Sequence, residues 1–551
     1  MRDRAVERPL FFEHSLNSYS RYLSIVNRKA TEPVSVSQSY LVAWLLAAIG
    51  CAFVALITRL NEVTHDVFHE MALAREFWQS GVFHTTDVFA FSPTISPVVH
   101  HEWGTGFVFY AVSEGTGWGL AGLTVLKFAL IGVLGWGLFR VASMRGAHPY
   151  VFCILSLAVF PLIWVGFVTL RATMFTLVCL TLQLWMQEWD RRGYRWWIIP
   201  WWCLFVAWLN LHAGFVVGLG IMGLHVCDSA LTAWLQTHSW RAVLQRTWHL
   251  ALLGPLVVLA LPINPYGWDY VPYLIRAISM PRPLIAEWRP LWHTYQPLLT
   301  LTEFGITVLL ILRVVPQQKL VDLSGLMGLV VSGLLALKHL RHGCIYAVIW
   351  VAYVPAWVSR TKLGQEWIEL IDRHRLLALR LAQIVVLLSV GWAVRYEVWQ
   401  AKLTADPEQE KYCYPVGAVD YLKRHAFSGN LLTPFHTGAY VTWVLYPEVK
   451  VSLDGRYEVA YAPGVFEDHW NFFDGKLEWV DFLEKYPNDA VLVQQTDALR
   501  PKLEVLRDQA SDADASAAEG WHFVYEDDAY AILARRSSSL PYEDHRVKLA
   551  H

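Results

Sequence analysis

One stretch of the chain, from Asn61 to Trp103, concentrates side chains that can move protons or hold metal ions. It directly follows the first long apolar run of the sequence. Carboxylates and imidazoles act as general acids and bases, and they also ligate divalent metals. The stretch therefore predicts a site of chemistry, with these candidates: Asp66, His69, Glu70, Asp87, His100, His101 and Glu102.

The composition of the whole chain is that of a membrane protein. Of its 551 residues, 55% are hydrophobic and only 17% are charged, whereas about a quarter are charged in an average soluble protein. The mean hydropathy is +0.32. Apolar runs of about 20 residues recur, which is the length an α-helix needs to cross a bilayer. The net charge of -2 says nothing about nucleic acid, and there is no basic patch that would suggest a nucleic-acid partner.

The apolar runs predict a polytopic α-helical membrane protein with about eleven transmembrane helices. The sequence also leaves open a short or re-entrant segment near 105–115. The predicted spans lie near residues 39–58, 121–140, 150–169, 172–188, 196–210, 213–233, 248–263, 297–314, 321–337, 343–358 and 379–396.

The distribution of Lys and Arg predicts which side each loop faces. The N-terminal segment 1–38 is rich in Arg, and every second loop after it is basic, as cytoplasmic loops are. An odd number of spans then places the C-terminal end of the chain on the opposite side. The predicted organisation is a cytoplasmic segment 1–38, a transmembrane domain 39–397 with a first outer loop 59–104, an extracytoplasmic domain 398–537 and a tail 538–551.

Beyond residue 397 the sequence mixes charged and apolar positions and contains no run long enough to span a membrane. The segments G-N-L-L-T-P, K-V-S-L-D-G and D-A-V-L-V-Q have the pattern of short strands, with helical stretches between them. The segment W-H-F-V-Y-E-D-D-A-Y-A-I-L-A-R has the pattern of a closing hairpin. Alternating strands and helices predict a small α/β domain with a partly parallel sheet. Its Asp454-Gly455-Arg456 is either a tip over the membrane site or a turn with a structural Asp–Arg pair.

Polar residues are few in the predicted outer turns, so each is informative, because ionisable groups at membrane depth usually line a cavity. Other roles stay open: Arg171 and the 338–342 group could contact lipid headgroups, Asn210 and His212 could join helices, and Asp66 and Asp87 could cap a helix or a turn. The outer-turn candidates are Arg171, Asn210, His212, Glu287, Trp288, Lys338, Arg341 and His342, together with the turn Asn264-Pro265-Tyr266-Gly267.

The seven cysteines do not indicate a disulfide framework. Six lie inside apolar runs, Cys413 lies alone outside them, and no C-x-x-C pair occurs. A cysteine zinc site is therefore not indicated either.

Several of these segments resemble a group of bacterial polytopic proteins in the GT-C glycosyltransferase superfamily, whose members include protein O-mannosyltransferases and lipid A aminoarabinose transferases. The first outer loop, with D-x-x-x-H, S-G-V-F-H-T-T-D-V-F-A-F-S and H-E-W, is similar to theirs. So are L-R-A-T-M-F-T, W-L-N-L-H-A-G-F, I-N-P-Y-G, I-A-E-W-R-P, L-R-H-G, G-A-Y-V-T-W-V-L and V-S-L-D-G-R-Y-E. The resemblance covers about residues 39 to 535, and Ala172 stands where the group has Pro.

The resemblance implies transfer of a sugar from a polyprenyl-phosphate donor to a glycan, lipid or protein acceptor, with inversion at the anomeric carbon. The transfer would take place on the extracytoplasmic face of the bacterial inner membrane. It implies that Asp66 is the general base, with Glu102 or Asp87 as the next candidates. Cations such as Arg171, Lys338 and Arg341 would stabilise the leaving phosphate. A divalent cation, Mg²⁺ or Mn²⁺, is the one cofactor left open. The residues expected to contact substrate are His69, Glu70, His101, Arg171, Asn210, His212, Glu287, Trp288, Lys338, Arg341 and His342.

Two other classes of function remain as alternatives. A glycolipid carrier or scaffold would handle the same lipid without transfer, although the near absence of charge in mid-span weighs against a transport path. A membrane metallohydrolase would use His65 and His69, whose i, i+4 spacing is that of a zinc helix, with Asp66 where metalloproteases have Glu.

Overall fold

The structure is a computed structural model that describes most of the chain. The described residues are 36–57, 63–164, 166–280, 285–293, 297–401, 403, 414–509, 521–535, 538 and 540–546. Outside them lie nearly all of the predicted segment 1–38, much of the tail 538–551, and Asn61, Glu62 and Cys413.

Up to residue 395 the described chain is helical. The helices are α1 (Val36–Ile57), α2 (His65–Ser80), α3 (Trp103–Tyr110), α4 (Leu120–Met144), α5 (Pro149–Leu157), α6 (Phe160–Trp164), α7 (Thr173–Arg191), α8 (Ile198–Leu211), α9 (Phe215–Thr237), α10 (Trp240–Thr247), α11 (Leu253–Ala260), α12 (Tyr270–Ser279), α13 (Pro297–Val314), α14 (Leu326–Lys338), α15 (Gly343–Ser359), α16 (Lys362–Arg373) and α17 (Arg375–Arg395). A π-helical turn, Ala111–Gly115, follows α3, and 3-10 turns occupy Trp248–Leu252, Gly267–Asp269, Ala286–Trp288, Leu291–His293, Val315–Gln317, Leu320–Asp322 and Leu340–His342.

Among the described residues, seven helical segments are long and apolar enough to cross a membrane. The protein is therefore a multi-pass membrane protein, as its composition predicts. The segments are Gln38–Ile57, Leu120–Met144, Phe215–Thr237, Trp240–Ala260, Pro297–Gln317, Leu340–Ser359 and Arg375–Arg395.

The predicted count of eleven spans is not confirmed. The spans expected near 196–210 and 321–337 are the shorter helices α8 and α14, and the span expected near 150–169 is divided between α5 and α6. The span expected near 172–188 is α7, most of which is buried among other helices. An apolar run marks burial in protein as readily as contact with lipid, so the sequence alone does not separate these cases.

The C-terminal part of the described chain carries a six-stranded sheet in the order β2-β1-β3-β5-β4-β6. Strands β1, β2 and β3 are parallel, and β5 and β4 form an antiparallel hairpin beside β3. The predicted α/β domain with a partly parallel sheet is confirmed. The elements are α18 (Val416–Arg424), β1 (Gly429–Leu432), α19 (Gly438–Leu445), β2 (Val449–Val451), α20 (Tyr457–Ala460), α21 (Pro463–Phe473), α22 (Trp479–Lys485), β3 (Ala490–Gln494), α23 (Arg500–Gln509), β4 (Trp521–Glu526), β5 (Tyr530–Arg535) and β6 (Glu543–Asp544).

The helical bundle and the C-terminal sheet share one apolar core. A single cluster of buried residues runs from Phe53 in α1 to Ala534 in β5. The first outer loop joins the edge of the sheet, because Phe89 and Phe91 exchange backbone hydrogen bonds with Val451 at 3.1 and 3.0 Å. Arg75 of α2 donates to the carbonyl of Trp443 at 2.7 Å, where the last turn of α19 leaves carbonyls without helical partners.

A buried ion-pair triad locks this junction. Arg456 lies between Asp87 of the outer loop and Asp454, at 2.8 Å from each, and all three side chains are fully buried. Asp87 also accepts the backbone N–H of Phe89 at 2.9 Å. Asp87 therefore lies in a turn, which is the structural role that the sequence leaves open for it. Its ion pair with Arg456 is an additional contact.

A second ionic network ties the opposite end of the bundle together. Glu188 of α7 accepts from both Arg145 and Arg191, and Arg191 also pairs with Asp228 of α9 at 3.2 Å. Arg145 and Arg191 belong to the predicted basic loops from which the sequence predicts orientation. Here they lie in balanced ion pairs between helices, and the orientation of the chain in the membrane stays a prediction.

Replacing Arg456 by Met is expected to destabilise the protein by about 3–5 kcal/mol, because it leaves Asp87 and Asp454 buried without a counter-charge. The measurement is thermal and chemical unfolding in detergent, followed by tryptophan fluorescence. The matched control is Arg424→Met, which removes an exposed arginine paired with Glu543. Equal unfolding midpoints for the two variants would show that the triad does not hold the junction.

Candidate functional site

The site is built where the start of α2 meets the turn before α7. Val63 forms a parallel bridge with Leu170, and Thr64 donates from its hydroxyl to the carbonyl of Leu170 at 3.1 Å. These contacts fix the first turn of α2, which carries Asp66, beside Arg171. A carboxylate in the first turn of a helix is also favoured by the helix dipole.

Arg171 bridges two carboxylates. Its Nη2 lies 3.2 Å from Asp66 Oδ2, and its Nη1 pairs with Glu287 from the 3-10 turn Ala286–Trp288. The exposed fractions of the side chains are 22% for Asp66, 24% for Arg171 and 31% for Glu287. The guanidinium is thus held in a partly buried ion-paired row.

The electrostatics of this row keep both carboxylates ionised. Burial opposes ionisation of Asp66, but His65 and Arg171 outweigh it and hold the pKa of the carboxyl below its ordinary value. Burial likewise opposes ionisation of Glu287, and Arg171 with Arg341 lowers the pKa of that carboxyl. An ionised carboxylate is the state that a general base requires.

A residue that the sequence analysis missed supports the Arg171 turn. Lys127, in the middle of α4, is 1% exposed and donates to the backbone carbonyl of Val168 at 2.9 Å. The signal was a lone Lys inside an apolar run, which is costly in a membrane unless it is partnered.

Glu102, the residue before α3, receives two imidazoles. Its Oε1 lies 3.3 Å from His101 Nε2 and 3.4 Å from His212 Nε2. Nδ1 of His212 accepts the backbone N–H of Gly214 at 3.0 Å, so the ring proton lies on Nε2 and points at Glu102. Burial opposes ionisation of Glu102, but these imidazoles lower its pKa to about 2.

Side chains behind the two histidines fix their rings. The hydroxyl of Tyr273 lies 2.8 Å from His101 Nδ1. Thr176 lies 2.7 Å from His212 Nδ1 and accepts from the indole of Trp208 at 2.8 Å. Burial lowers the pKa of His212 to about 4, although Glu102 opposes the shift. None of these supporting residues stood out in the sequence, because their spacing along the chain is irregular.

Close backbone packing holds α3 against its neighbours. A Cβ at Gly106 would lie 2.3 Å from the carbonyl oxygen of Glu70, and one at Gly104 would lie 2.6 Å from that of Asn210. The side chain of Asn210 accepts from the indole of Trp103 at 2.9 Å and donates to the carbonyls of Val206 and Ile263. Asn210 therefore joins helices, which is the alternative that the sequence left open for it.

His69 and Glu70 form a second, more buried pair on the same face of α2 as Asp66. His69 Nε2 lies 3.2 Å from Glu70 Oε1, and the two side chains are 9% and 4% exposed. Burial raises the pKa of Glu70. Burial would lower the pKa of His69, but the neighbouring Glu70 outweighs it and raises that pKa as well.

The turns at 285–293 and 338–342 pack on each other beside Glu287. The carbonyl of Trp288 lies 2.6 Å from His339 Nδ1, and the guanidinium of Arg341 lies 4.7 Å above the Trp288 ring. Lys338 is exposed at the end of α14. Arg341 therefore adds a second cation next to the Asp66–Arg171–Glu287 row.

An apolar cavity of about 360 Å³ lies between α9, α14 and α15. Its wall includes Val217 and Ile221 of α9 and Leu335 of α14. His342 also lies in the wall, next to Arg341 in the chain. The cavity thus runs from apolar helix faces to the turn that carries the second cation.

The metallohydrolase alternative requires His65 and His69 to face a common metal site, and their rings do not do so. Although α2 begins at His65, the Nε2 atom of His65 faces Asp66 at 3.3 Å and that of His69 faces Glu70. Within the described ranges, no group of three or more His, Cys, Asp and Glu side chains has the arrangement of a metal site.

Comparison with solved structures identifies the fold. ArnT from Cupriavidus metallidurans, in the apo state, superposes with a TM-score of 0.52 over 91% of this chain and 98% of that chain, at 14% sequence identity. The chain has a GT-C fold. The fold that the sequence resemblance implies is therefore confirmed.

Two archaeal structures are less similar. The oligosaccharyltransferase of Archaeoglobus fulgidus in the apo form gives a TM-score of 0.48 at 11% identity, over 93% of this chain and 76% of that chain. The oligosaccharyltransferase AglB of the same organism, in complex with an inhibitory peptide and a dolichol-phosphate, gives 0.47 at 12% identity, over 90% and 75%. No protein family and no curated protein matches the sequence.

The depressed pKa of Glu102 predicts an acid-dependent loss of stability. A carboxyl whose folded pKa is below its unfolded value stabilises the fold above the ordinary pKa, and this contribution fades as the pH falls from about 4.3 towards 2. Glu102→Gln is expected to remove on the order of 1–3 kcal/mol at neutral pH and to flatten this part of the stability profile.

The measurement is the unfolding midpoint in detergent from pH 7 down to about pH 2, where the contribution of Glu102 is expected to be lost. The control is Glu114→Gln, which changes an exposed carboxylate beyond α3. If Glu102→Gln and the wild type show the same pH profile, the imidazoles do not stabilise the Glu102 carboxylate.

Proposed function

We propose that the protein transfers a sugar from a polyprenyl-phosphate donor to an acceptor hydroxyl, with inversion at the anomeric carbon. The observation that carries the proposal is the junction of the apolar cavity with the ionic row. The cavity between α9 and α14 ends at His342, beside Arg341, and Arg341 acts on the pKa of Glu287 in the row with Arg171 and Asp66. An apolar cavity that reaches a turn bearing a cation suits an amphiphile with an anionic head.

Asp66 is proposed as the general base. Its carboxylate accepts the proton of the acceptor hydroxyl while the hydroxyl oxygen forms a bond to the anomeric carbon. The bond from that carbon to the phosphate oxygen breaks, and the electron pair leaves with the polyprenyl phosphate. Arg171 and Arg341 are proposed to stabilise this leaving group, because charge develops on its oxygen in the transition state.

We propose that substrate is also contacted by Glu102 and Glu287 and by the imidazoles of His101 and His212. Glu102, with the imidazoles of His101 and His212, is close enough to Asp66 to act on the pKa of its carboxyl. Glu102 and Glu287 are the carboxylates that would hold Mg²⁺ or Mn²⁺ if the reaction uses one. We further propose that this end of the bundle faces the outside of a bacterial inner membrane, where lipid-linked donors replace nucleotide sugars.

Asp66→Asn is expected to lower transfer by roughly a hundredfold or more, the usual scale for losing a general base, with donor binding nearly intact. Arg171→Ala is expected to weaken donor affinity as well as turnover, because it contacts the phosphate in both the ground state and the transition state. The assay supplies reconstituted protein with a panel of polyprenyl-phosphate sugars and measures release of polyprenyl phosphate and donor affinity. Asp269→Asn, an exposed carboxylate on the 3-10 turn Gly267–Asp269, is the control.

Full turnover by Asp66→Asn would remove Asp66 from the mechanism. Binding of a donor lipid without turnover by the wild type, for every sugar and acceptor supplied, would favour the carrier alternative.

Filling the apolar cavity is expected to block the donor tail. Gly220 and Gly223 both lie at exposed positions of α9, where an added Cβ would have no neighbouring atom within 4 Å. Of the two, Gly220 lines the cavity and Gly223 does not. Gly220→Phe is expected to weaken binding of a long-chain polyprenyl-phosphate sugar at least tenfold, on the scale of burying one aromatic ring in its place. The matched control Gly223→Phe is expected to bind within about twofold of the wild type, and equal affinities for the two variants would place the lipid tail elsewhere.

A further inference from the structure

The carboxyl ends of two of the parallel strands, β1 and β2, lead to the site described above. The segments that follow β1 and β2 reach α2: the Phe435 ring lies 5.5 Å from the His65 ring, and Gly455 lies against the same imidazole. In open α/β sheets, the edge at the carboxyl ends of the strands is where functional groups collect. Here that edge is turned towards Asp66.

His65 connects this edge to the proposed base. Its Nε2 lies 3.3 Å from Asp66 Oδ1, while Asp66 Oδ2 faces Arg171 at 3.2 Å. The two oxygens of the carboxylate are therefore held from two sides. Arg171 acts from the helical bundle, and His65 acts from the side of the C-terminal sheet.

The contact at Gly455 leaves no room for a side chain between this turn and the imidazole. A Cβ at Gly455 would lie 2.2 Å from His65 Cδ2 and 2.9 Å from its Nε2. The Gly455 backbone is itself fixed, because Asp454 accepts both the backbone N–H of Arg456, at 3.1 Å, and its Nε. The buried triad with Asp87 anchors the same turn to the outer loop.

We propose that His65 is a positioning residue for Asp66, and that the turn Asp454–Gly455–Arg456 sets the position of His65. This inference rests on the proposed function, because it assigns Asp66 the role of base. The C-terminal sheet is then part of the catalytic apparatus: its edge fixes the direction in which the Asp66 carboxylate faces the acceptor. A misplacement of about 1 Å in a catalytic group is enough to lower turnover substantially.

The test is a double-mutant cycle of Gly455→Ala and His65→Ala in the full-length reconstituted protein. Gly455→Ala is expected to lower kcat about ten- to a hundredfold, with KM for the polyprenyl-phosphate sugar within about twofold, because it displaces the imidazole and leaves the donor site unchanged. In the His65→Ala background, Gly455→Ala is expected to have no further effect, since there is no ring left to displace. Gly464→Ala, in the same part of the chain with open space around its Cα, is the control.

His65→Gln, whose amide can replace Nε2 beside Asp66, is expected to recover part of the kcat that His65→Ala loses. Multiplicative effects of the two mutations, or a His65→Ala variant with wild-type kcat, would overturn the proposal. Cryo-electron microscopy of Gly455→Ala supplies an arm without substrate: the His65 ring is expected to leave Asp66, and a ring still 3.3 Å from Oδ1 would overturn it. If the wild type turns over no donor, the proposed function fails, whereas this arm still decides whether Gly455 controls His65.

Discussion

Charge compensation by Arg171 is the interaction on which the site depends. Asp66 and Glu287 reach the same place from segments more than 200 residues apart, and without the guanidinium they would be two carboxylates at the edge of an apolar bundle. Unpaired charge in such a position is costly, because the low dielectric of the protein and the lipid does not solvate it. Two contacts hold the segment before Arg171 in place. They are the Val63–Leu170 bridge and the hydrogen bond from Lys127 to the carbonyl of Val168.

The same constraint explains why the bundle and the C-terminal sheet form one body. The outer loop that carries Asp87 extends the edge of the sheet, and Arg456 closes the junction in a fully buried triad. Such a triad contributes little net stability compared with an apolar packing, but it tolerates few alternative arrangements, since each misplaced partner leaves a buried charge. The junction is therefore well defined where it meets His65 and Asp66, and a rigid junction is what a positioned carboxylate requires.

The arrangement also separates two tasks between the two ends of the site. Apolar side chains of α9 and α14 enclose a cavity suited to a hydrocarbon chain, whereas the ionised Asp66 and Glu102 lie among cations and imidazoles above it. In the proposed function, a lipid-linked phosphate placed at this boundary keeps its tail against apolar side chains and its head among the charges. The long first outer loop, which lies against the edge of the C-terminal sheet, supplies the scaffold for this division.

The sequence by itself determined the class of the molecule and its local elements. Recurring apolar runs predicted a multi-pass helical protein, and the short strand patterns beyond residue 397 predicted β1 to β5, because periodicity and length report local conformation directly. It also placed Asp66, Arg171, Glu102 and Glu287 on one side of the membrane. Only the tertiary structure decided which of them touch and which helical segments are long enough to span. It also showed that Asp87 lies in a buried ion pair and that Asn210 forms hydrogen bonds between helices. These outcomes depend on pairs such as Asp87 with Arg456 or His65 with Gly455, more than 350 residues apart, and a periodic pattern carries no information about contacts at that separation.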